Sequence, residues 1–434
     1  MSIGAIGLLV GLSLVGREVS VVETARGWCF RRADGTCWRA RGIEKANGYG
    51  PNCGAFGHPY AETLERTGLT REAWCAQTAR RLRDWGFNLL GSGTDTRINS
   101  DGSFATTEMI ALSSWARDAG EDCVLNVCPS GPCGALANPF SPVFADICDR
   151  AAKASCVPGA DNRSLLGYFL DNEQNWWGTG PWWEPGLLDA ALSRLPAGHS
   201  ARRVAERLVR KKGGCEPEGY HQLPNAKRVA LRNLFTRALA RRYFKTIVEA
   251  IRRYDLHHLV LGCRFAGVAG APDIVWEVCG EWCDVVSLNC YPQADVASRR
   301  LTLGVDARIL PPGYDVPTEQ WTPIPLSVML QRRFDVAKRP LFISEWSFRG
   351  ADIGSPRAES NGQELPNQDL RAQAVSLFLN ETERLPYVVG HAFYMWTDER
   401  FPSATGSPET LNWGLVSLED VPHARVVQAF SESK

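Results

Sequence analysis

Residues 165–173 read Leu-Leu-Gly-Tyr-Phe-Leu-Asp-Asn-Glu, an apolar run that stops abruptly on a polar pair. Because a half-exposed strand would alternate apolar and polar side chains, this continuous run predicts a strand buried on both faces of a parallel sheet. Residues 340–346, Pro-Leu-Phe-Ile-Ser-Glu-Trp, repeat the pattern. The two runs therefore predict two buried strands that carry Glu173 and Glu345 at their ends.

Further short apolar runs recur along the chain, separated by helical stretches. Together the runs predict strands at residues 38–44, 87–92, 123–128, 165–172, 259–264, 285–291, 341–345 and 392–396. Amphipathic helices are predicted between them, among others at residues 70–85, 107–119, 226–254 and 369–383. A hairpin is predicted before the first strand, at residues 18–24 and 27–32. Strands that alternate with helices in this number predict an α/β fold, a (β/α)8 TIM barrel.

The spacing of the runs also predicts the domain organisation. We expect a single barrel domain over residues 18–434, with a long insertion at about residues 174–225, directly after the fourth strand. Loops after barrel strands lie on the functional face, so we expect this insertion to border the site. Residues 1–17 are apolar but lack a positive leading segment and an Ala-x-Ala site. They are interpreted as a degenerate export signal or a flexible N-terminus.

The composition narrows the class of ligand. Among 434 residues, Lys+Arg and Asp+Glu both number 48, so no basic face is predicted for nucleic acid or anionic membranes. We therefore expect neither nucleic-acid partners nor membrane insertion, and the oligomeric state stays open. Many of the 15 Trp sit beside Gly, Pro or Asn. Aromatic rings in loops suit carbohydrate, because a ring face matches the apolar face of a pyranose.

The 14 cysteines include no Cys-x-x-Cys metal motif. Burial as small apolar residues explains some of them, and disulfides formed in an oxidising compartment explain others. Cys29 and Cys37 flank a predicted turn and are the preferred pair. We expect a secreted or periplasmic protein, with a cytoplasmic location as the alternative.

Two carboxylates at strand ends of one barrel face predict glycoside hydrolysis. In a retaining mechanism one carboxyl protonates the departing oxygen while the other attacks the anomeric carbon. Residues 172–173 after the fourth strand, and Glu345 after the seventh, look like the acid/base and nucleophile of clan A of the glycoside hydrolases. On this resemblance Glu173 is the acid/base and Glu345 the nucleophile, and no metal or organic cofactor is implied.

More of the clan's pattern can be placed on this sequence. The resemblance implies that Tyr291 hydrogen-bonds the nucleophile, that Asn172 contacts the sugar 2-hydroxyl, and that Trp396 floors the reactive subsite. Residues 167–173 and the tail Asn-Trp-Gly-Leu-Val at 412–416 look most like the β-agarases of family 50 and, less closely, the β-galactosidases of family 42. The resemblance covers residues 27 to the end as an order of elements.

The sequence also departs from the clan. Where members often carry an Arg after the second strand, it offers Ser92 and Asp95, and Arg264 is the predicted substitute near the nucleophile. A separate carbohydrate-binding module is not seen. Further predicted substrate contacts are Trp176, Trp177, Glu44, Asp398 and Trp413. Glu44 and Asp398 could instead form structural pairs, and Trp176 and Trp177 could instead anchor the insertion.

The function predicted is a retaining β-glycoside hydrolase that acts on a β-linked, galactose-containing oligo- or polysaccharide. The alternatives are a β-glucan or β-mannan hydrolase of the same clan, and a barrel that binds glycans without cleaving them. A metal-dependent barrel that removes a proton beside a carboxylate needs acids at three successive strand ends. Here the fifth and sixth strands end in Arg264 and Tyr291, which argues against it.

Overall fold

The computed structural model describes residues 19–49, 58–125, 135–179, 184–305, 322–352, 362–402 and 408–433. Its strands are β1 (Val19–Thr24), β2 (Gly27–Arg32), β3 (Cys37–Trp38), β4 (Ala40–Ile43), β5 (Leu89–Leu90), β6 (Ala105–Met109), β7 (Val124–Leu125), β8 (Leu136–Ala137), β9 (Leu165–Phe169), β10 (Leu259–Val260), β11 (Phe265–Ala266), β12 (Val286–Asn289), β13 (Gln293–Asp295), β14 (Arg300–Val305), β15 (Thr322–Pro325), β16 (Leu341–Trp346), β17 (Arg349–Gly350), β18 (Glu364–Leu365), β19 (Val388–Phe393), β20 (Glu399–Pro402) and β21 (Pro408–Leu411). Its α-helices are α1 (Pro59–Arg66), α2 (Arg71–Asp84), α3 (Leu112–Asp118), α4 (Phe144–Gly159), α5 (Leu187–Ser193), α6 (Ser200–Leu208), α7 (Asn225–Tyr254), α8 (Asp273–Trp282), α9 (Leu326–Ala337), α10 (Gln368–Arg384) and α11 (Ala424–Glu432).

The central sheet has the order β10-β9-β6-β5-β4-β19-β16-β12-β11, and every neighbouring pair in it is parallel. Its first and last strands are two pieces of one chain segment. The amide of Leu261 donates to the carbonyl of Tyr168 in β9 at 2.8 Å, while Phe265 in β11 pairs with Leu288 in β12. One segment therefore joins the two edges, and the sheet curls into a TIM-like barrel.

The third strand of this sheet corrects the sequence prediction. It is β6, whereas residues 124–125 form β7, which pairs antiparallel with β8 away from the sheet. Residues 126–128 lie outside the described residues. The segment Ala-Thr-Thr-Glu-Met of β6 is only partly buried, so it lacks the continuous apolar run that marks the other strands. The helix predicted over 107–119 accordingly begins only at Leu112.

Packing forms two layers around this sheet. One buried cluster combines residues near the strand starts, such as Ala40, Leu259 and Val389, with Phe30 of β2. The antiparallel sheet β1-β2-β3 therefore covers the amino-terminal end of the barrel. The predicted N-terminal hairpin and the Cys29–Cys37 disulfide are confirmed. A larger cluster joins the outer faces of the strands to the helices.

Other predicted elements also appear. Helices α2, α7 and α10 match the expected helices at 70–85, 226–254 and 369–383 within two residues at each end. The eighth strand begins four residues earlier than expected, at Val388. After β9 the chain forms α5 and α6 before the long α7. The domain limits 18–434 and the insertion limits 174–225 stay predictions.

Within the described ranges, every helix is too short or too polar to cross a membrane.

Candidate active site

The carboxyl ends of the barrel strands bring together five side chains that the sequence singled out. Glu44 follows β4, Glu173 follows β9, Arg264 lies between β10 and β11, Tyr291 follows β12, and Glu345 lies near the end of β16. Because parallel strands end on the same side of a sheet, these side chains converge although their positions span most of the chain.

Glu345 is held at both carboxylate oxygens. The Tyr291 hydroxyl donates to Oε2 at 2.7 Å, and Nη2 of Arg264 donates to Oε1. The Arg264 guanidinium lies 5.2 Å above the centroid of the Phe169 ring, which rises from the barrel interior. The carboxylate of Glu345 is thus fixed by one neutral and one charged donor.

Arg264 is the centre of a wider network and is only 2% exposed. Its Nε donates to Oδ1 of Asn172 at 2.8 Å, and its Nη1 donates to Glu44 at 3.3 Å and to Ser92 at 3.2 Å. Burial alone would lower the pKa of the Arg264 guanidinium, but the charges of Glu44 and Glu345 outweigh burial and raise it. Arg264 therefore stays charged, beside Glu345, where the sequence placed a substitute arginine.

Glu44 pairs with this arginine. The Glu44 side chain is 2% exposed. Burial raises its pKa and the positive charge of Arg264 lowers it, so that the pKa is raised to about 7. A Cβ added at Gly91 would meet the Glu44 carboxylate, so a larger residue there would displace it from its place beside Arg264. The structure therefore places Glu44 behind Arg264 as its structural partner, the alternative to a direct sugar contact.

Glu173 has a different environment from Glu345. Its Oε1 accepts from Nδ2 of Asn289 at 2.9 Å. Burial first, and then the negative charge of Glu345, raise the pKa of Glu173, against smaller opposing effects of Asn289 and Arg264. The Glu173 backbone is left-handed, with φ of 53°. Such conformations are costly in residues other than glycine and concentrate at functional sites.

Asn289 was missed in the sequence. It is 1% exposed at the end of β12. Its Nδ2 also contacts Oδ1 of Asn172 at 3.1 Å, while its Oδ1 accepts from the Ser344 hydroxyl at 2.8 Å. A signal was present, because Asn289 and Ser344 are polar residues inside apolar strand runs. Buried polar groups need partners, so each predicts a neighbour at the strand end.

Trp396 departs from its predicted place. Its ring is fully buried, stacks on Trp85 with centroids 5.8 Å apart, and donates from Nε1 to the Tyr60 hydroxyl at 2.9 Å. Tyr60 and Trp85 belong to the layer around α1 and α2. Trp396 therefore packs against helices and does not floor the cleft.

The insertion tryptophans are structural as well. Trp176 is fully buried and stacks on Phe244 of α7 with centroids 5.6 Å apart. Trp177 is 5% exposed and donates from Nε1 to the carbonyl of Ala269 at 2.7 Å. Trp176 therefore anchors the segment after β9 to α7, and Trp177 anchors it to the loop that follows β11. Composition does not distinguish such anchors from sugar platforms, since both need a large apolar face.

Asp398 is occupied by the C-terminal tail. Its carboxylate accepts from Asn412 Nδ2 at 3.0 Å, from the Gly414 amide at 2.8 Å and from His423 Nε2 at 2.9 Å. At 1% exposure it is a structural anchor and is not open to a sugar hydroxyl. The sequence prediction of a substrate contact at Asp398 is corrected accordingly.

Trp413 lies close to the cleft. Its ring meets Tyr394 edge-on with centroids 5.1 Å apart. The Tyr394 hydroxyl accepts from Nζ of Lys45 at 2.6 Å. Tyr394 had not been singled out in the sequence, where it falls inside the strand predicted at 392–396; in the structure it directly follows β19.

In the part of the chain that the structure describes, no cluster of three or more His, Cys, Asp or Glu is arranged to hold a metal ion.

The chain is similar in sequence to known proteins, although no protein-family model matches it. β-Agarase A of Vibrio sp. (strain JT0107) is 24% identical over 400 residues, which is 86% of this chain and 37% of the relative. β-Agarase B of the same strain is 23% identical over 399 residues, or 85% and 37%. The chain thus spans little more than a third of the curated relatives it matches.

Solved structures of agarases have the same fold. The match to an exo-β-agarase structure has a TM-score of 0.75 at 17% identity and covers 98% of this chain and 65% of the agarase chain. An agarase structure has a TM-score of 0.72 at 19% identity, with 96% and 65% covered. In sequence and in fold, the chain therefore resembles the family 50 β-agarases, as the motifs at 167–173 and 412–416 predicted.

Proposed function

We propose that the chain is a retaining β-glycoside hydrolase that cleaves agar-type, galactose-containing chains, with Glu173 as acid/base and Glu345 as nucleophile. The curated relatives are β-agarases. The observation that carries the proposal is the asymmetry of the two carboxyls. Glu345 accepts from Tyr291 and from the charged Arg264, whereas Glu173 accepts from a neutral amide and has a raised pKa. Glu345 is thus held beside a positive charge, and Glu173 is inclined to hold a proton.

The first step uses this difference. Glu173 gives its proton to the glycosidic oxygen as the bond to the anomeric carbon breaks, and an oxygen of Glu345 bonds to that carbon. The leaving sugar departs as a neutral alcohol, and a covalent glycosyl-enzyme remains. In retaining glycosidases generally, the two carboxyl groups stand about 5–5.5 Å apart.

The second step reverses the roles. Once Glu345 is esterified its negative charge is gone, so one cause of the raised pKa of Glu173 disappears. Glu173 then takes a proton from water while the water oxygen attacks the anomeric carbon. The bond to Glu345 breaks, and its carboxylate returns to Tyr291 and Arg264.

We also propose that the protein acts outside the cytoplasm. A polysaccharide is too large to be taken up intact, and the Cys29–Cys37 disulfide suits an oxidising compartment.

The test is hydrolysis of agar oligosaccharides and of an activated β-galactoside, with β-glucans and β-mannans as comparison substrates. Glu345→Gly is expected to lose at least about 10³-fold in kcat, because covalent catalysis is removed. Added azide should restore part of the rate on the activated substrate and yield the α-glycosyl azide. Hydrolysis by Glu345→Gly at the wild-type rate contradicts the nucleophile assignment. Cleavage of glucan or mannan alone contradicts the substrate class, and binding without cleavage favours a glycan-binding barrel.

A further inference from the structure

One further carboxylate near Glu345, that of Glu399, takes no part in the steps above. Glu399 begins β20, shortly after the eighth barrel strand, and is 7% exposed. Its Oε2 is buried and has no hydrogen-bond partner. A buried acceptor left without a donor destabilises the fold, and more so when it is charged. Such an atom in a native fold requires an explanation.

The orientation of Glu399 follows from its neighbour. The Asp398 carboxylate points into the C-terminal tail, where Asn412, Gly414 and His423 donate to it. Successive side chains of an extended segment point to opposite sides. The Glu399 side chain therefore points away from the tail.

Groups of the cleft surround it on that side. After burial, the negative charge of Glu399 is the largest cause of the raised pKa of Tyr394, whose hydroxyl also accepts from Nζ of Lys45. Burial raises the pKa of Glu399 to about 6, with the charge of Lys45 lowering it and that of Glu345 raising it further. Near pH 7 the group is therefore mainly ionised, and its charge lies within reach of Glu345.

A buried donor without a partner lies beside the same tyrosine. The indole Nε1 of Trp413 is also buried without a partner, and the Trp413 ring packs on Tyr394. An unpaired acceptor and an unpaired donor are thus gathered around one tyrosine. A sugar hydroxyl can donate to the first and accept from the second, since it carries one proton and two lone pairs.

We propose that Glu399 is a substrate-binding residue that accepts a hydrogen bond from a hydroxyl of the sugar ring on which Glu345 acts. The proposal rests on the proposed glycosidase function. It makes Glu399 a determinant of specificity, because a carboxylate needs a donor. A sugar that lacks the hydroxyl bound by Glu399 loses this hydrogen bond and leaves Glu399 unpaired. The same holds for a sugar that carries a sulfate ester at that hydroxyl, because the ester has no proton to donate.

The test compares wild type and Glu399→Gln on 4-nitrophenyl β-D-galactopyranoside and its 3-, 4- and 6-deoxy derivatives. On the parent compound the variant should lose about 100-fold in kcat/KM, the range expected for a hydrogen bond to a charged group. On the one derivative that lacks the contacted hydroxyl, wild type should already be slow, and Glu399→Gln should change it less than about threefold. An equal loss on all four compounds, or no loss on the parent, overturns the proposal.

Controls separate this result from misfolding and from failure of the proposed function. Glu419→Gln removes an exposed carboxylate in the same C-terminal region and should leave all four rates unchanged. Glu399→Gln should keep the wild-type melting temperature. If wild type cleaves neither these compounds nor agar oligosaccharides, the proposed function fails, and calorimetry with agar oligosaccharides then decides on Glu399. Binding by wild type that weakens in Glu399→Gln supports the role, whereas equal binding, or no binding by wild type, overturns it.

Discussion

At the scale of single residues, the site depends on how Glu345 is held. The Tyr291 hydroxyl contacts Glu345 Oε2 at 2.7 Å. We expect Tyr291→Phe to lower kcat about 10- to 150-fold, because a hydrogen bond to a charged group contributes about 1.5–3 kcal/mol. Steady-state kinetics measure the loss. Tyr254→Phe is the matched control, since the Tyr254 hydroxyl bonds Asp149 on the outer surface; equal activity losses in both variants contradict a specific role for Tyr291.

Arg264 combines a role in the site with one in stability. Arg264→Lys keeps a charge but not the planar fork that reaches Glu345, Glu44 and Asn172. We expect at least a 100-fold loss of kcat/KM and a loss of about 3 kcal/mol in the free energy of unfolding, because Glu44 is left buried without its partner. Denaturant titration and kinetics measure both. Arg237→Lys, at the exposed pair with Glu277, should cost less than about 0.5 kcal/mol.

The pKa of Glu173 should respond to Glu345. The raised pKa has two causes, burial and the negative charge of Glu345. Glu345→Gln removes the second, so the pKa of Glu173 should fall, by an amount that carbon-13 NMR of the carboxyl carbons can follow with pH. In wild type, kcat/KM should fall as pH rises through the pKa of Glu173, since the proton donor is then lost. An unchanged Glu173 titration in Glu345→Gln contradicts the coupling.

Much of this site was predictable residue by residue. Glu173, Asn172, Tyr291, Arg264 and Glu345 converge because strand-end position is visible in a sequence and a barrel brings strand ends together. The tryptophans were less predictable, because an apolar ring beside Gly or Pro suits a helix contact as well as a sugar. The sequence did not show whether Asp398 or Glu399 faces the cleft, because the contacts of the C-terminal tail decide which of the two side chains points toward the tail.

At the scale of elements, β9 and α7 are tied by a buried polar cluster. Asp255, at the end of α7, accepts from the Tyr168 hydroxyl and from His258 Nδ1, each at 2.6 Å. Burial would raise the pKa of Asp255, but these hydrogen bonds and backbone amides lower it overall. Asp255→Ala should therefore lower the free energy of unfolding by about 3 kcal/mol at pH 7, since it leaves buried donors unpaired.

The same cluster predicts a pH dependence. Because the folded-state pKa of Asp255 is depressed, its stabilisation is present above about pH 4, the unfolded value, and is lost as pH falls through the folded pKa. Urea titrations of wild type and Asp255→Ala should therefore differ most near neutral pH and converge under acid conditions. A difference that stays constant down to pH 2 contradicts this account.

The strands themselves show where sequence patterns are informative. The runs that became β9, β12 and β16 are continuously apolar because both faces are covered. Strand β6 was missed because its face is only partly covered, so Thr and Glu are tolerated in it. A pattern search depends on burial, and a partly uncovered strand escapes it.

At the scale of the whole molecule, the β1-β2-β3 sheet closes the barrel end opposite to the candidate site. Its Cys29–Cys37 disulfide spans eight residues. Replacing both cysteines with serine should lower stability by about 2.5 kcal/mol on the loop-entropy account. Hydrogen exchange should show faster opening of β1 and β2, while hydrolysis stays unchanged because the sheet lies far from the strand ends that carry Glu173 and Glu345. Loss of activity in the double variant contradicts this separation.

The network centred on Arg264 has a consequence for protein engineering. One guanidinium ties together residues that follow β4, β5 and β9 with Glu345 in β16, so loop exchange at any of these strand ends disturbs the other three. The described residues of the segment after β19 make no hydrogen bond to Arg264. Libraries that aim to change the substrate of the proposed hydrolase are therefore best placed in that segment, with the buried Trp396 and Asp398 kept unchanged.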